Sequence, residues 1–336
     1  MTEHAILAVG DDFVRTGLFV AALRAEAGVD RQIRELRLPW PGVPWGKVGE
    51  VHEAAGDEET LIAALSGVDI AVTHLAPFTE RVFAAAPDLR LVVVSRGGPV
   101  NVNLEAAARH GVAVCYAPGR NAVATAEYAI GLILATLRNI ARSHAALSAG
   151  DWAGDYFDYD NAGLEIEGST VGVVGHGAIG AKVARILAAF GAEVLVHDPY
   201  ADPSTVDSVP LAELLARSRV VTLHARATPE TEGMIGAKEL SAMPRGSVLV
   251  NCARGSLVDH DALCDALDAG HLSGAGLDVY PEEPVTAGSR LLRTPNLVTT
   301  PHIAGCSKEV AEKAARICAA EVGRHLRGEA LANRAA

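Results

Sequence analysis

Val171–Tyr200 reads VGVVGHGAIGAKVARILAAFGAEVLVHDPY. The apolar run Val171–Val174 has the length and composition of a buried parallel strand. Gly175, Gly177 and Gly180 follow at GxGxxG spacing. The apolar periodicity then predicts a helix over Ala178–Phe190, and a second strand over Glu193–His197 ends at Asp198. Each part has a physical task. The first glycine permits the tight turn, the second lets backbone approach a pyrophosphate, and the third lets helix pack on strand. The pyrophosphate sits on the amide donors of the helix N-terminus. Asp198 stands about 20 residues on, where a carboxylate grips the adenosine ribose hydroxyls. A glycine turn alone is common. Strand, glycines, helix, strand and acid in this order identify a dinucleotide-binding unit.

Strand-like and helix-like segments alternate on both sides of this unit, which predicts an α/β protein with parallel sheets. Upstream, strands are expected at Ala5–Val9, near Ile33–Leu36, and at Asp69–Thr73, Leu91–Ser95 and Val112–Cys115. Helices are expected at Val14–Ala27, near Glu58–Leu65, at Glu80–Ala86 and near Leu104–Arg109. Pro39–Gly49 (PWPGVPWGKVG) reads as irregular. A long amphipathic helix is expected over Ala122–Ser148. Downstream strands are expected near Val220–His224, Val248–Asn251 and Ala275–Asp278, with a last helix over Lys308–Arg327. At 336 residues the chain is long enough for two domains. The fold class is therefore two doubly wound parallel-sheet domains, with the last helix returning to the first and the site expected in the cleft between them.

Composition narrows the function. A hydrophobic fraction of 49% supplies two cores, and charged residues at 21% are ordinary for a water-exposed surface. The net charge of −12 argues against nucleic acid or an anionic membrane as partner. It also means that an anionic substrate needs a local basic site. No signal peptide and no apolar run of membrane-spanning length is apparent. Five cysteines (Cys115, Cys252, Cys264, Cys306, Cys318) form no CxxC pair. They read as reduced thiols in a cytoplasmic protein, with no metal site.

Three segments downstream place polar residues just after expected strands, where open α/β sheets bind ligands. They are Asn251–Gly255 (NCARG), Gly276–Pro284 (GLDVYPEEP) and Thr299–Gly305 (TTPHIAG). An arginine, carboxylates and a histidine in this setting suit hydride transfer to a 2-oxo acid. Arg254 can fork onto the substrate carboxylate and reach the carbonyl oxygen. His302 can give a proton to the developing alkoxide, or take it in the oxidation direction. Glu283 nearby would stabilise the imidazolium. Singly, each of these residues reads as an ordinary loop contact. Their order after a dinucleotide motif gives them the sharper meaning.

On these motifs, together with Gly111–Asn121 (GVAVCYAPGRN) and Ala122–Ile140 (AVATAEYAIGLILATLRNI), the sequence resembles the D-isomer-specific 2-hydroxyacid dehydrogenases along nearly its whole length. The resemblance implies a discontinuous substrate domain (1–118 plus 302–336) and a NAD-binding domain (119–301), with hinges near Pro118 and Pro301. It implies the catalytic roles of Arg254, Glu283 and His302. It places Asp278 at the nicotinamide carboxamide, and Ala178 and Ile179 at the pyrophosphate. Thr231, Cys252 and Ala253 are expected as further cofactor contacts. Ser95–Gly98 matches the loop whose amides, at Gly97 and Gly98, help hold the substrate carboxylate. It also implies a homodimer built through the long helix. Relatives that are formate dehydrogenases carry Gln where Glu283 stands, so Glu283 points to a hydroxy acid. The chain is expected to be a short form, without the regulatory domain of long phosphoglycerate dehydrogenases.

Two departures from the family pattern stand out. Arg226 occupies a place where most relatives have proline, and arginine suits a 2′-phosphate; Asp198 repels that phosphate, so NAD is expected over NADP. Pro99 fixes its own φ and removes an amide from the Gly97–Asn101 loop. Substrate specificity is expected in the first domain, from His74, Arg96 and Arg120, with His52 a weaker candidate. Arg96 would serve a second anionic group such as phosphate, which favours a phosphoglycerate-like or sugar-acid substrate; a surface arginine is the alternative. Asp155–Asp160 (DYFDYD) either reaches across a dimer or is a solvated connection. A different class of function also fits the family: NAD-sensing corepressors such as the C-terminal-binding proteins keep the same three residues. Such a protein needs a peptide groove, which Pro39–Gly49 would line.

Overall fold

In the first of two units, β1 (Ala5–Gly10), β2 (Ile33–Arg37), β3 (Val68–Thr73), β4 (Leu91–Val94) and β5 (Ala113–Tyr116) form one all-parallel sheet in the order β2-β1-β3-β4-β5. The computed structural model describes residues 5–41 and 46–336. The described chain divides into Met1–Asn121 with Cys306–Ala336, and Ala122–Gly305. These divisions at 121/122 and 305/306 replace the expected 118/119 and 301/302. The second shift has a visible cause: the amides of Ile303 and Ala304 donate to Asp278, which belongs to the second unit.

Strand residues of the first unit alternate between two cores, as a period of two requires. Ile6, Ala8, Ile70, Val72, Leu91 and Val93 pack with Phe19 and Leu23 of α1 (Thr16–Ala25) and with Cys318, Ala319 and Val322 of the C-terminal helix (Lys308–Leu326). Leu7, Val9, Ala71, Val92 and Val94 face the other core, with Leu61 of α2 (Glu58–Ala64) and Phe83 of α3 (Glu80–Ala85). Burial on both faces explains why these strands read as continuous apolar runs. α4 (Leu104–Arg109) completes the alternation. The expected irregular stretch Pro39–Gly49 contains residues 42–45, which lie outside the described residues.

The second unit opens with α5 (Ala122–Leu137) and α6 (Ile140–Ser148), two helices bent by 66° where one continuous helix was expected. Asn139 makes the break. Its φ of 54° is left-handed, a conformation asparagine tolerates better than most residues. Its side-chain amide donates to the Asn161 carbonyl at 3.0 Å, and the Leu164 amide reaches the Leu137 carbonyl at 2.9 Å. The returning chain thus takes up the groups freed at the end of α5. Helical periodicity passes over such a break because the apolar spacing resumes beyond it.

β6 (Thr170–Val174), β7 (Glu193–His197), β8 (Val220–Leu223), β9 (Ser247–Asn251), β10 (Leu272–Leu277) and β11 (Leu297–Thr299) follow, again all parallel, in the order β11-β10-β9-β8-β6-β7. One face packs on α5 and on α7 (Gly180–Ala189). The other packs on α8 (Leu211–Arg217), α9 (Ala237–Ala242) and α10 (His260–Asp268). α11 (Arg290–Arg293) is a single turn before β11. Strand order reverses between β6 and β8, so the Gly175–Gly180 turn sits at the switch point where open sheets bind ligands. Among the described residues no single helix is long and apolar enough to cross a membrane.

Candidate active site

In register, Leu277 of β10 lies beside Asn251 of β9 and Thr299 of β11. The loops leaving these three strands therefore emerge side by side, and they carry Arg254, Asp278 with Glu283, and His302. Asn251 shapes the first loop: its oxygen accepts from the Ala253 amide and its amide donates to the Arg254 carbonyl, both at 2.9 Å. Gly255 lets this loop close on the next, since a Cβ there would fall 2.0 Å from the Tyr280 carbonyl. Arg254 is thereby pinned beside the Tyr280–Glu283 turn, exposed, with Nη1 donating to the Ala253 carbonyl at 2.7 Å.

Asp278 is fully buried and organises the third loop. Its carboxylate accepts from the Thr300 hydroxyl at 2.6 Å and from the Ile303 and Ala304 amides at 2.9 and 2.8 Å. Between these anchors His302 is held at a φ of 53°, a left-handed conformation that costs a non-glycine residue about 1–3 kcal/mol and persists where its surroundings impose it. The imidazole Nδ1 meets Glu283 Oε2 at 2.6 Å, and the other Glu283 oxygen accepts the Tyr280 amide at 3.0 Å. The hydrogen bond that His302 donates to Glu283 holds the His302 pKa above its ordinary value, against burial and Arg254, which push it down. Burial alone would raise the Glu283 carboxyl; the His302 hydrogen bond and charge, the Tyr280 amide and Arg254 bring it below its ordinary value. The three residues form a cation, an anion and a titratable ring in one electrostatic unit, and Nε2 of the ring has no hydrogen-bond partner among the described residues.

The glycine turn separates its glycines by task. A Cβ on Gly180 would fall 1.9 Å from the Gly175 carbonyl oxygen, and one on Gly175 2.7 Å from the Ala225 amide. A Cβ on Gly177 would meet nothing within 4 Å. Gly175 and Gly180 are required by the fold; Gly177 is open, as backbone approached by a ligand must be. α7 starts at Gly180 rather than the expected Ala178, which leaves Ala178 exposed and Ile179 half-buried at its head. Asp198 accepts the His176 amide at 2.8 Å and the Tyr200 amide at 2.9 Å, which fixes its carboxylate beside the turn. Beneath it lies His224, which sequence reading missed. Its Nε2 contacts the Thr222 hydroxyl at 3.0 Å, burial pushes its pKa down to about 4, and its buried Nδ1 has no partner among the described residues. A bare glycine face, a helix head, a fixed carboxylate and an unsatisfied nitrogen fit the pyrophosphate and ribose of NAD. Cys252 is buried with its thiol pushed up by burial, and the Ala253 amide is taken by Asn251. The Thr231 hydroxyl donates to the Arg226 carbonyl at 2.7 Å and so shapes its own turn; Arg226 is exposed.

The first unit corrects two expectations. His74 is 0% exposed, and its Nδ1 meets Asp11 Oδ2 at 2.6 Å. It is an internal member of the fold rather than a side chain offered to substrate. Arg96 is paired with the Glu53 carboxylate and donates to the Glu53 carbonyl at 3.0 Å, so its charge is already matched. Gly97 and Gly98 have open space where side chains would stand. His52 is exposed, its amide donating to the Val100 carbonyl at 3.1 Å. Asp11 had no sequence signal beyond its place after a strand.

Residues 130–304 match the family described as D-isomer specific 2-hydroxyacid dehydrogenase, NAD binding domain. D-3-phosphoglycerate dehydrogenase of Mycobacterium leprae is 40% identical over 287 residues, which are 83% of this chain and 53% of that protein. The chain thus spans about half the length of the phosphoglycerate dehydrogenases it matches. Glycerate dehydrogenase of Methylorubrum extorquens is 37% identical over 264 residues, 77% of this chain and 82% of that one. Among solved structures, the TT0316 protein from Thermus thermophilus superposes with a TM-score of 0.81 at 32% identity, covering 99% of this chain and 100% of its own.

Proposed function

The chain belongs to the D-isomer-specific 2-hydroxyacid dehydrogenases, and from that premise we propose that it interconverts a D-2-hydroxy acid and its 2-oxo acid with NAD as cofactor. The Glu283–His302 contact of 2.6 Å, with Arg254 alongside, carries the reading. Arg254 forks onto the substrate carboxylate and polarises the carbonyl oxygen. His302, whose protonated form Glu283 favours, donates from Nε2 to that oxygen as charge develops on it; in the reverse direction the neutral ring takes the hydroxyl proton. The hydride is the part supplied by NAD when it is bound. The Asp198 carboxylate at the ribose position supports NAD over NADP, because it would repel a 2′-phosphate.

The substrate is a small 2-hydroxy acid, with phosphorylated or sugar acids such as 3-phosphoglycerate among the members in view. Initial rates of NADH and NADPH oxidation with glyoxylate, pyruvate, hydroxypyruvate, phenylpyruvate and 3-phosphohydroxypyruvate test the proposal. Turnover of one or more acids with NADH supports it. Tight NADH binding without turnover on any acid overturns it in favour of an NAD-sensing binding protein.

We also propose a homodimer. Ile140 and Leu147 on α6, and Trp152, Phe157 and Tyr159 just beyond it, are exposed, the last at 95%. That much aromatic and aliphatic surface in one stretch is what a self-association face presents. Sedimentation equilibrium reads the mass directly, and a monomer at micromolar concentration refutes the dimer.

A further inference from the structure

The carboxyl ends of β1, β3, β4 and β5 in the first unit hold Asp11, His74, Arg96 and Arg120. The strand order β2-β1-β3-β4-β5 reverses between β1 and β3, and Asp11 and His74 close that gap with their 2.6 Å contact. Gly10 makes this possible: the chain after β1 folds back so tightly that a Cβ there would fall 2.4 Å from the Thr16 amide. Asp11 Oδ1 accepts the Phe13 and Val14 amides, each at 2.9 Å. Phe13 is thereby presented between an imidazole and a guanidinium, with its centroid 5.7 Å from the His74 ring and 5.9 Å from the Arg120 guanidinium carbon.

Arg120 is the unmatched member. Its Nε and Nη1 are buried with no acceptor among the described residues. Burial first, and then the Arg96 charge, push its pKa down to about 10, so it stays charged at neutral pH in surroundings that do not favour the charge. Asp11 attracts it, but the Asp11 oxygens are already taken by two amides and His74. Cys318 offers no counter-charge, because burial pushes its thiol up. Guanidinium N–H groups buried without acceptors cost free energy unless something brings acceptors to them. The turn that carries it is anchored: Lys313 of the C-terminal helix donates to the Gly119 carbonyl at 3.3 Å. Phe13, Gly98 and Arg120 are each half-buried and Gly97 is exposed, so this end of the sheet opens to solvent.

We propose that Arg120, backed by Phe13 and the Asp11–His74 pair, is a specificity-determining site for a second oxyanion on the substrate, a carboxylate or phosphate distinct from the carboxylate next to the reacting carbon. The link to substrate rests on the dehydrogenase reading; the anion site itself does not. Arg120 takes the place that sequence reading gave to Arg96, which Glu53 neutralises. The guanidinium fork matches either oxyanion geometry.

Two measurements test it. Calorimetric titration with inorganic phosphate and with malonate reads the site without turnover. Binding of one or both by wild type, and its loss in Arg120→Met while NADH still binds, is the expected result; which probe binds distinguishes phosphate from carboxylate. Steady-state kinetics then compare pyruvate with oxaloacetate, 2-oxoglutarate and 3-phosphohydroxypyruvate. An acid carrying a second anionic group is expected to exceed pyruvate in kcat/KM by about 10–100-fold in wild type, the worth of one charge-assisted fork. That ratio falls toward one in Arg120→Met, through KM, and partway in Arg120→Lys. An arginine serving only the fold would lower the melting temperature and depress all acids equally, which overturns the proposal. Anion binding lost in Arg120→Met, with no acid turned over, keeps the site and removes the dehydrogenase reading. Turnover without anion binding or discrimination does the reverse. If Arg120→Met does not fold, Arg120→Lys gives the same two readings.

Discussion

Glu283 Oε2 stands 2.6 Å from His302 Nδ1, and the two groups shift each other in opposite directions: the imidazole pKa is raised and the carboxyl pKa lowered. Reduction of a 2-oxo acid needs the imidazolium. It is therefore full below the raised His302 pKa and fades as pH rises through it. Glu283→Gln removes the carboxylate charge and leaves only a weaker, neutral acceptor for the ring, so the fade moves to lower pH. Oxidation of the hydroxy acid needs the neutral ring, and its onset moves to lower pH in the same variant. Rate profiles in both directions check this; coincident profiles for wild type and variant would take Glu283 out of the proton relay.

His302→Ala removes the proton donor but none of the glycine turn that holds the cofactor. Turnover is expected to fall by about 10²–10⁴-fold, the range of general acid–base catalysis. NADH affinity, read by fluorescence, stays within a few-fold of wild type. Loss of NADH binding would make the histidine a structural member of the Asp278 loop.

The sequence showed the parts of the site that lie next to a strand. NCARG, GLDVYPEEP and TPHIAG each follow an apolar run, and a parallel sheet brings successive carboxyl ends together, so the grouping of Arg254, Glu283 and His302 was legible in the sequence. The glycine turn and the strand–helix alternation were legible for the same reason. What could not be read was pairing at a distance. Nothing local to Arg96 shows that Glu53, 43 residues away, neutralises it. Nothing local to His74 shows that Asp11 buries it. Asn139 looked like one polar residue on a helix face, because the contact that ends α5 comes from Asn161 and the chain to Leu164.

That break gives its own prediction. Asn139 holds a φ of 54°, which glycine adopts freely and a β-branched residue resists. Asn139→Gly is expected to cost about 0.5–1.5 kcal/mol, the hydrogen bond to Asn161 that it loses, whereas Asn139→Val loses the same bond and costs about 1–3 kcal/mol more. Chemical denaturation separates the two. Equal stabilities would mean that the bend between α5 and α6 is not set by this residue.

Arg254→Lys tests the fork. Lysine keeps the charge but cannot meet a carboxylate with two parallel donors. Loss of one charge-assisted hydrogen bond of about 1.5–3 kcal/mol lowers kcat/KM by roughly 10–100-fold. Both KM and kcat are affected, since Arg254 also polarises the carbonyl. Kinetics close to wild type would leave Arg254 as a loop residue bonded to Ala253.

The glycines of the turn separate folding from binding. A Cβ on Gly180 falls 1.9 Å from the Gly175 carbonyl oxygen, so the strand–turn–helix unit must shift to admit it. Gly180→Ala is expected to cost about 1–3 kcal/mol of stability, as overpacking does, and to weaken NADH with it. A Cβ on Gly177 meets nothing within 4 Å, so Gly177→Ala leaves the melting temperature close to wild type. Its methyl group instead stands where backbone and pyrophosphate approach, and NADH affinity falls by at least about tenfold, the equivalent of 1.4 kcal/mol. Thermal melting and NADH titration on the two variants resolve the roles. If Gly177→Ala binds NADH like wild type, the turn does not hold the pyrophosphate at that glycine, and the cofactor placement drawn from the motif fails.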